Sequence, residues 1–270
     1  MPSFLQIETV QVVILAIVQG IAEFLPISSS GHLVVLSELF GMGEGTTELN
    51  IILHFGTLLA IVLFYWKRIL ALLSSDKRVI PLLSVGTIPA VVIGLTIKKV
   101  FPWVTEYPLL AGFMLPVTGL MLLMLPKIKE GDEEYQDISY LNAFLIGCAQ
   151  AIAILPGISR SGSTIVAGSF LGLKRQSATT FSFLLAIPAI LGATVLEVKD
   201  MMDKDPSAES TPIWLLAVGA IVAFAVGLVA LQWLVRWVEK GKLHWFAYWL
   251  IPVGFGVVVW QLYEVVKAQS

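Results

Sequence analysis

The chain has 270 residues and a mass of 29.4 kDa, with 57% hydrophobic residues, 13% charged residues and a mean hydropathy of +0.87. Soluble domains carry about 25% charge, so thirty-six Asp, Glu, Lys and Arg residues are too few to cover a soluble particle of this size. That excludes a cytosolic enzyme, a nucleic-acid binder and a disordered tail, and it points to an all-α integral membrane protein whose main partner is the lipid bilayer.

In chain order, residues 9–25 are an apolar run that meets Pro26 and then Ser28-Ser29-Ser30-Gly31-His32 before apolar character resumes to Phe40. The only charge before residue 23 is Glu8 and the first basic residue is Lys67. A signal peptide with its positive n-region is therefore not expected. Residues 49–66, 80–98 and 108–126 are each apolar over the roughly 20 residues a spanning helix needs. Residues 127–137 are the most polar stretch and divide the chain near its middle. Residues 141–155 then run into Pro156-Gly157 and Ser159-Arg160-Ser161-Gly162-Ser163, resuming to Leu173. Three further spans are expected at 178–198, 212–235 and 245–266, with a second polar loop at 199–211. Trp66-Lys67-Arg68, Trp237 and Trp245 flank the spans as interfacial residues do. Cys148 is the single cysteine, so no disulfide forms within the chain.

The two interrupted runs are too short on either side of the break to span alone. Polar, broken backbone at membrane depth is tolerated only where protein or a watery cavity surrounds it, so both are expected to be re-entrant helical hairpins, at about 9–40 and 141–173. They match without gaps at an offset of 131: Gln19, Ile21, Ala22, Ile27, Ser28, Ser30 and Gly31 recur as Gln150, Ile152, Ala153, Ile158, Ser159, Ser161 and Gly162. Phe55-x-x-Leu-Leu-Ala-Ile recurs from Phe181, Leu82-Leu83 with Gly86 resembles Leu215-Leu216 with Gly219, and Gly94-Leu95 pairs with Gly227-Leu228. The expected organisation is one membrane domain made of two repeats, 1–130 and 131–270, each a hairpin plus three spans. Three is odd, so the second repeat is inverted and the two tips meet near the midplane.

Eleven basic residues fall on one side (Lys67, Arg68, Lys77, Arg78, Lys127, Lys129, Lys174, Arg175, Arg236, Lys240, Lys242) and five on the other (Lys98, Lys99, Lys199, Lys204, Lys267). The excess of basic residues marks the cytoplasmic side. The mouth of the first hairpin then faces outward. Gly94, Gly112, Gly119, Gly219 and Gly227 allow helices to pack closely, within the chain or in a homodimer.

Glu23 and Arg160 are ionisable groups at membrane depth, one on each hairpin. Insertion scales put such groups at about 2.5–3.5 kcal/mol each, which a structural ion pair explains poorly and a site explains well. Gln19 and Glu23 are four residues apart and share a helix face. A carboxylate beside an amide oxygen suits a hard divalent cation. Ser28, Ser29 and Ser30 lead straight into an apolar helix, as Ser159, Ser161 and Thr164 do around Arg160. Helix N-termini of this kind bind phosphate, and Arg160 adds a guanidinium. Ser29 is a candidate nucleophile that needs a neighbouring base, for which Glu23 and His32 are both placed. His54 and His244 read as ordinary packing histidines. An anionic group met by serine, arginine and metal in a lipid-facing site implies a phosphate-bearing lipid.

Gln-Gly-Ile-Ala-Glu-Phe-Leu-Pro-Ile-Ser-Ser-Ser-Gly-His (19–32) resembles the first signature of the undecaprenyl-diphosphate phosphatase family, the bacitracin-resistance type. Pro-Gly-Ile-Ser-Arg-Ser-Gly-Ser-Thr (156–164) resembles its second. The resemblance implies an inner-membrane hydrolase that converts a prenyl diphosphate to the monophosphate carrier of peptidoglycan synthesis, using Mg2+ or Ca2+ and conferring bacitracin resistance. It places the catalytic roles on Glu23, Ser29, His32 and Arg160, substrate binding on Ser28, Ser30, Ser159, Ser161 and Thr164, and metal binding on Gln19 and Glu23. Many members carry Glu where this chain has Gln19, so residue 19 brings no negative charge here. A different class of lipid phosphatase with Ser-Gly-His and Ser-Arg elements requires a further His and a downstream Asp after the Ser-Arg element, and here Ser163, Thr164 and the apolar residues that follow offer neither. Inverted repeats with broken helices also suit a transporter of a phosphorylated lipid or small anion. Phosphate release from a prenyl diphosphate separates that alternative from hydrolysis.

Overall fold

The computed structural model describes residues 4–42, 46–202 and 211–269. Lys204 and most of the polar loop expected at 199–211 lie outside them. Among the described residues eleven α-helices follow in order: α1 (Phe4–Ala22), α2 (Ser29–Leu39), α3 (Thr46–Phe64), α4 (Trp66–Leu72), α5 (Val79–Val100), α6 (Pro108–Leu122), α7 (Tyr140–Ile152), α8 (Arg160–Phe170), α9 (Arg175–Met202), α10 (Ile213–Glu239) and α11 (Ala247–Gln269). Among the described residues there is no strand beyond one isolated bridge, Glu133 with Leu173.

Among the described residues, five helical stretches are long and apolar enough to cross a membrane: 79–100, 108–127, 175–199, 213–239 and 243–268. A sixth is reached if 48–64 and 66–72, bent by 74°, count as one span. The protein is therefore an all-α, multi-pass membrane protein. The bend falls where the expected span 49–66 meets its interfacial Trp66, and the chain turns aside there instead of stopping. The shorter apolar helices at 8–22 and 140–152 are those that precede the two polar breaks.

The helices pack in pairs: α6 on α11, α3 on α10, α5 on α7, and α1 on α10. Small residues make these approaches possible. A Cβ on Gly147 of α7 would sit 2.1 Å from the Gly86 carbonyl oxygen of α5, and one on Gly56 of α3 would sit 2.5 Å from that of Ala220 on α10. Gly112 and Gly119 face α11, while Gly219 and Gly227 meet Leu53 of α3 and Phe24. These four glycines are thus used within the chain. Phe24, Ile61, Tyr65, Phe183, Leu231 and Leu234 form the largest buried cluster, directly under the site described below.

The basic-rich loops meet one another. Arg78 donates to the carbonyls of Gln136 (3.0 Å) and Ile138 (3.2 Å), Arg175 lies 3.6 Å from Glu130, and Lys174 lies 2.7 Å from Glu134. Hydrogen bonds from Lys174 and Ser177 hold the Glu134 carboxyl below the usual carboxylate range. The segment 127–139, which contains the most polar stretch of the sequence (127–137), is therefore docked: Tyr135 and Ile138 are buried.

Candidate active site

Each hairpin breaks for local reasons. After α1 the chain turns over 23–27, where Pro26 cannot continue a helix. Ser28 then caps α2, its Oγ accepting from Gly31 N at 3.3 Å. After α7 the chain turns through Pro156 and Gly157, the latter at φ +95°, and Ser159 caps α8 with its Oγ accepting from Gly162 N at 3.1 Å. Side-chain caps of this kind stabilise a helix start by about 1 kcal/mol each.

The tips are joined to each other. Ser28 Oγ accepts from Gly157 N (3.1 Å) and donates to the Ile158 carbonyl (3.3 Å). A Cβ on Gly31 would lie 2.7 Å from Gly157 N, so only glycine lets the tips come this close. Thr118 of α6 clamps the second tip, donating to the Gly157 carbonyl at 2.7 Å and accepting from Ser159 N at 3.0 Å. Ser28 has φ +68°, the one non-glycine residue at positive φ among the described residues. Such a conformation costs on the order of 1–3 kcal/mol and persists where the surroundings over-determine it. Here the surroundings are the bonds to the second hairpin.

Glu23 and Arg160 meet across that junction. Arg160 Nη2 is 2.7 Å from Glu23 Oε1. Ser29 Oγ donates to Glu23 Oε2 at 2.7 Å, and Gln19 Nε2 approaches the same oxygen at 3.3 Å. The carboxylate is 7% exposed. Arg160 also donates to the Ser182 carbonyl at 3.4 Å and lies 5.8 Å over the Phe183 ring. A guanidinium has five N–H donors, so donors remain for an incoming anion. The Gln19 amide oxygen is buried with no hydrogen-bond partner.

The remaining expected residues cluster at the same tips in different ways. Ser28, Ser159, Ser161 and Thr164 are all buried. Thr164 Oγ1 donates to the Arg160 carbonyl at 2.9 Å and lies 2.5 Å from Ser182 Oγ; Ser159 and Ser161 hydroxyls pair at 3.2 Å. Ser30, half-buried, lies 3.4 Å from Ser28 Oγ. These hydroxyls are bonded to the protein around Arg160 and Ser29. His32 sits one turn into α2 but turns away from Ser29: its Nδ1 is 2.9 Å from the Ser28 carbonyl, and its Nε2 is 3.0 Å from the indole nitrogen of Trp249.

His54, read above as a packing residue, belongs to the site: its Nε2 lies 3.9 Å from Glu23 Oε2, and its Nδ1 is held by the Asn50 carbonyl at 2.8 Å. An imidazole in an otherwise apolar span is the signal that would have found it. Ser182, Thr118 and Trp249 carry no comparable signal, because a lone hydroxyl or aromatic in a span is unremarkable. His244 bonds the Gly241 carbonyl at 3.1 Å, as a packing residue does. Among the described residues no three His, Cys, Asp or Glu side chains converge to hold a metal.

The arrangement is a hydroxyl bonded to a buried carboxylate, opposed by a guanidinium, at two capped helix N-termini. That combination can take a proton from the serine and hold a phosphoryl group. The family model described as bacitracin resistance protein BacA matches residues 12–256. An undecaprenyl-diphosphatase of Rhodopirellula baltica is 60% identical over 256 residues, covering 94% of this chain and 99% of the relative. Undecaprenyl-diphosphatase 4 of Bacillus cereus is 42% identical, with 93% of this chain and 97% of the relative covered. The undecaprenyl-diphosphatase of Carboxydothermus hydrogenoformans is 38% identical with the same coverage.

Proposed function

The chain belongs to the bacitracin resistance protein BacA family, and on that premise we propose that it hydrolyses undecaprenyl diphosphate to undecaprenyl phosphate and inorganic phosphate. The product is the lipid carrier returned to peptidoglycan synthesis. The observation that carries the chemistry is the Ser29–Glu23–Arg160 cluster, with both polar contacts at 2.7 Å and each hairpin contributing one charge.

Ser29 Oγ attacks the terminal phosphorus as its proton passes to Glu23 Oε2. The bond from that phosphorus to the bridging oxygen breaks, and undecaprenyl phosphate leaves. Water then attacks the phosphoserine, releasing inorganic phosphate and restoring the serine hydroxyl. Arg160 stabilises the charge on the equatorial oxygens, which is the main task in phosphoryl transfer. Glu23 is favoured over His32 as the proton acceptor, since Ser29 already points at it and both ring nitrogens of His32 are engaged elsewhere. The hydroxyls of Ser28, Ser159, Ser161 and Thr164 act by holding the tips, while Ser30 and the first N–H groups of α2 and α8 face the substrate phosphate.

A divalent cation, Mg2+ or Ca2+, fits the residues present: Gln19 bonds the Glu23 carboxylate through its amide nitrogen and keeps a buried amide oxygen without a partner, so the two residues would hold the ion through oxygen. Mg2+ is commonly held by one or two protein oxygens together with substrate phosphates. When bound, such an ion would neutralise diphosphate charge.

The architecture that serves this chemistry is six spans plus two re-entrant hairpins, in inverted repeats covering 1–130 and 131–270. The packing pattern supports it. α1 on α10 is mirrored by α7 on α5, α3 on α10 by α9 on α5, and α1 on α2 by α7 on α8. The pairs α3–α9 and α6–α11 each join a helix to its own counterpart, as a two-fold axis requires. The protein would lie in the bacterial inner membrane with the site open to the outer side and the basic loops in the cytoplasm.

The test is phosphate release by purified protein from undecaprenyl diphosphate, with Mg2+ or with a chelator. Ser29→Ala, Glu23→Gln and Arg160→Ala are each expected to lose about 10³-fold or more in kcat, as removal of a nucleophile or a charge-stabilising group does. Parental turnover by Ser29→Ala would remove the serine from the reaction. No metal-dependent release by the parent protein would turn the assignment to transport.

A further inference from the structure

The His32 ring is held from both sides. A carbonyl oxygen only accepts hydrogen bonds and an indole N–H only donates. With Nδ1 2.9 Å from the Ser28 carbonyl and Nε2 3.0 Å from Trp249 Nε1, the ring carries its proton on Nδ1 and presents a lone pair to Trp249. The two rings are also nearly parallel, 10° apart with centroids at 6.3 Å. The carbonyl that His32 holds belongs to Ser28, the residue at φ +68°, and it also accepts from His32 N at 3.2 Å. The next residue is Ser29. A chain of contacts therefore runs from α11, packed on α6, through the imidazole to the turn that aims the proposed nucleophile. Trp249 is itself 53% exposed, so the contact is not an incidental result of core packing.

We propose that Trp249 is a positioning residue for the reaction: its indole N–H selects the Nδ1–H form of His32, and through His32 it holds the Ser28 turn that presents Ser29 to Glu23. The inference rests on the reading of Ser29 as nucleophile. It assigns the last helix of the chain a part in the first hairpin's geometry, and it makes His32 a strut instead of a base.

The test compares full-length protein in detergent, labelled with 15N-histidine, with Trp249→Phe and Trp245→Phe. Phenylalanine keeps a flat apolar ring and lacks the N–H. The His32 resonances are identified by their disappearance in His32→Gln. In Trp249→Phe the His32 Nε2 resonance is expected to move, and kcat to fall roughly 3- to 10-fold, the size of one neutral hydrogen bond, with KM changing by less than about twofold. Trp245→Phe, four residues earlier in the turn 243–246 and packed against His244 and Tyr248 instead, is expected to leave both unchanged. An unmoved Nε2 resonance, an unchanged kcat, or a loss confined to KM would each overturn the proposal. Parental phosphate release by Ser29→Ala would overturn the nucleophile reading separately, because the resonance reports the Trp249 contact without turnover.

Discussion

Glu23 shows how one buried side chain holds the site together. It receives Ser29, Gln19 and Arg160 within 3.3 Å and has His54 at 3.9 Å. Removing one partner of a buried ion pair typically costs about 3–5 kcal/mol, because the other charge is left uncompensated. Glu23→Gln is therefore expected to lower the thermal unfolding midpoint in detergent as well as abolish turnover. Glu23→Gln combined with Arg160→Met is expected to regain much of the lost stability and none of the activity. If the double variant were as unstable as the single one, the pair would not be the cause. Gln19, Glu23, Ser29 and Arg160 were all legible from the two motifs, since polar residues in an apolar run stand out. His54 was equally visible yet carried no motif, and only the fold brings it to Glu23.

The hairpins owe their geometry to a small number of bonds. Ser28 caps α2, bonds two residues of the other tip and adopts a left-handed backbone conformation. These demands conflict in an informative way. Losing the hydroxyl leaves buried groups unpaired at about 1–3 kcal/mol, while glycine relieves the positive φ that alanine retains. Ser28→Gly is thus expected to be less destabilised than Ser28→Ala, by about 1 kcal/mol, a reversal of the usual order of the two residues. Chemical or thermal unfolding of both variants checks it, and equal or opposite ranking would mean that the backbone at Ser28 is relaxed. The caps, the breaks at Pro26 and Pro156 and the helix extents were readable because each is a local effect. The bend between α3 and α4 was not, because Tyr65 and Trp66 carry no helix-breaking chemistry and the turn follows from packing.

Across the whole molecule, the loops carrying most of the basic residues dock on one another through Arg78, Arg175, Lys174 and the segment 127–139. Lys98 on the opposite side bonds the Leu196 carbonyl near the end of α9 at 3.2 Å. The proposed orientation makes the first group cytoplasmic. In a Cys148→Ala background, Lys129→Cys is expected to react with a membrane-impermeant thiol reagent only after the cells are opened, and Lys99→Cys in intact spheroplasts. The reverse pattern would invert the protein and place the Ser29 mouth inside. Both lysines are exposed, so accessibility reports sidedness and not burial.

By itself the sequence determined the solvent, the helical class, the long apolar stretches, the two polar breaks and the family signatures. Each follows from composition or from contacts a few residues apart, where hydrophobic run length and helix-breaking residues act directly. Tertiary structure alone decided which groups meet: Glu23 with Arg160 at a separation of 137 residues, Ser28 with Gly157, Glu23 with His54, and His32 with Trp249. Those pairings depend on glycine contacts and on how helices distant in the chain pack, and no local pattern encodes them. The charges were visible as anomalies in an apolar chain; folding turned them into one site.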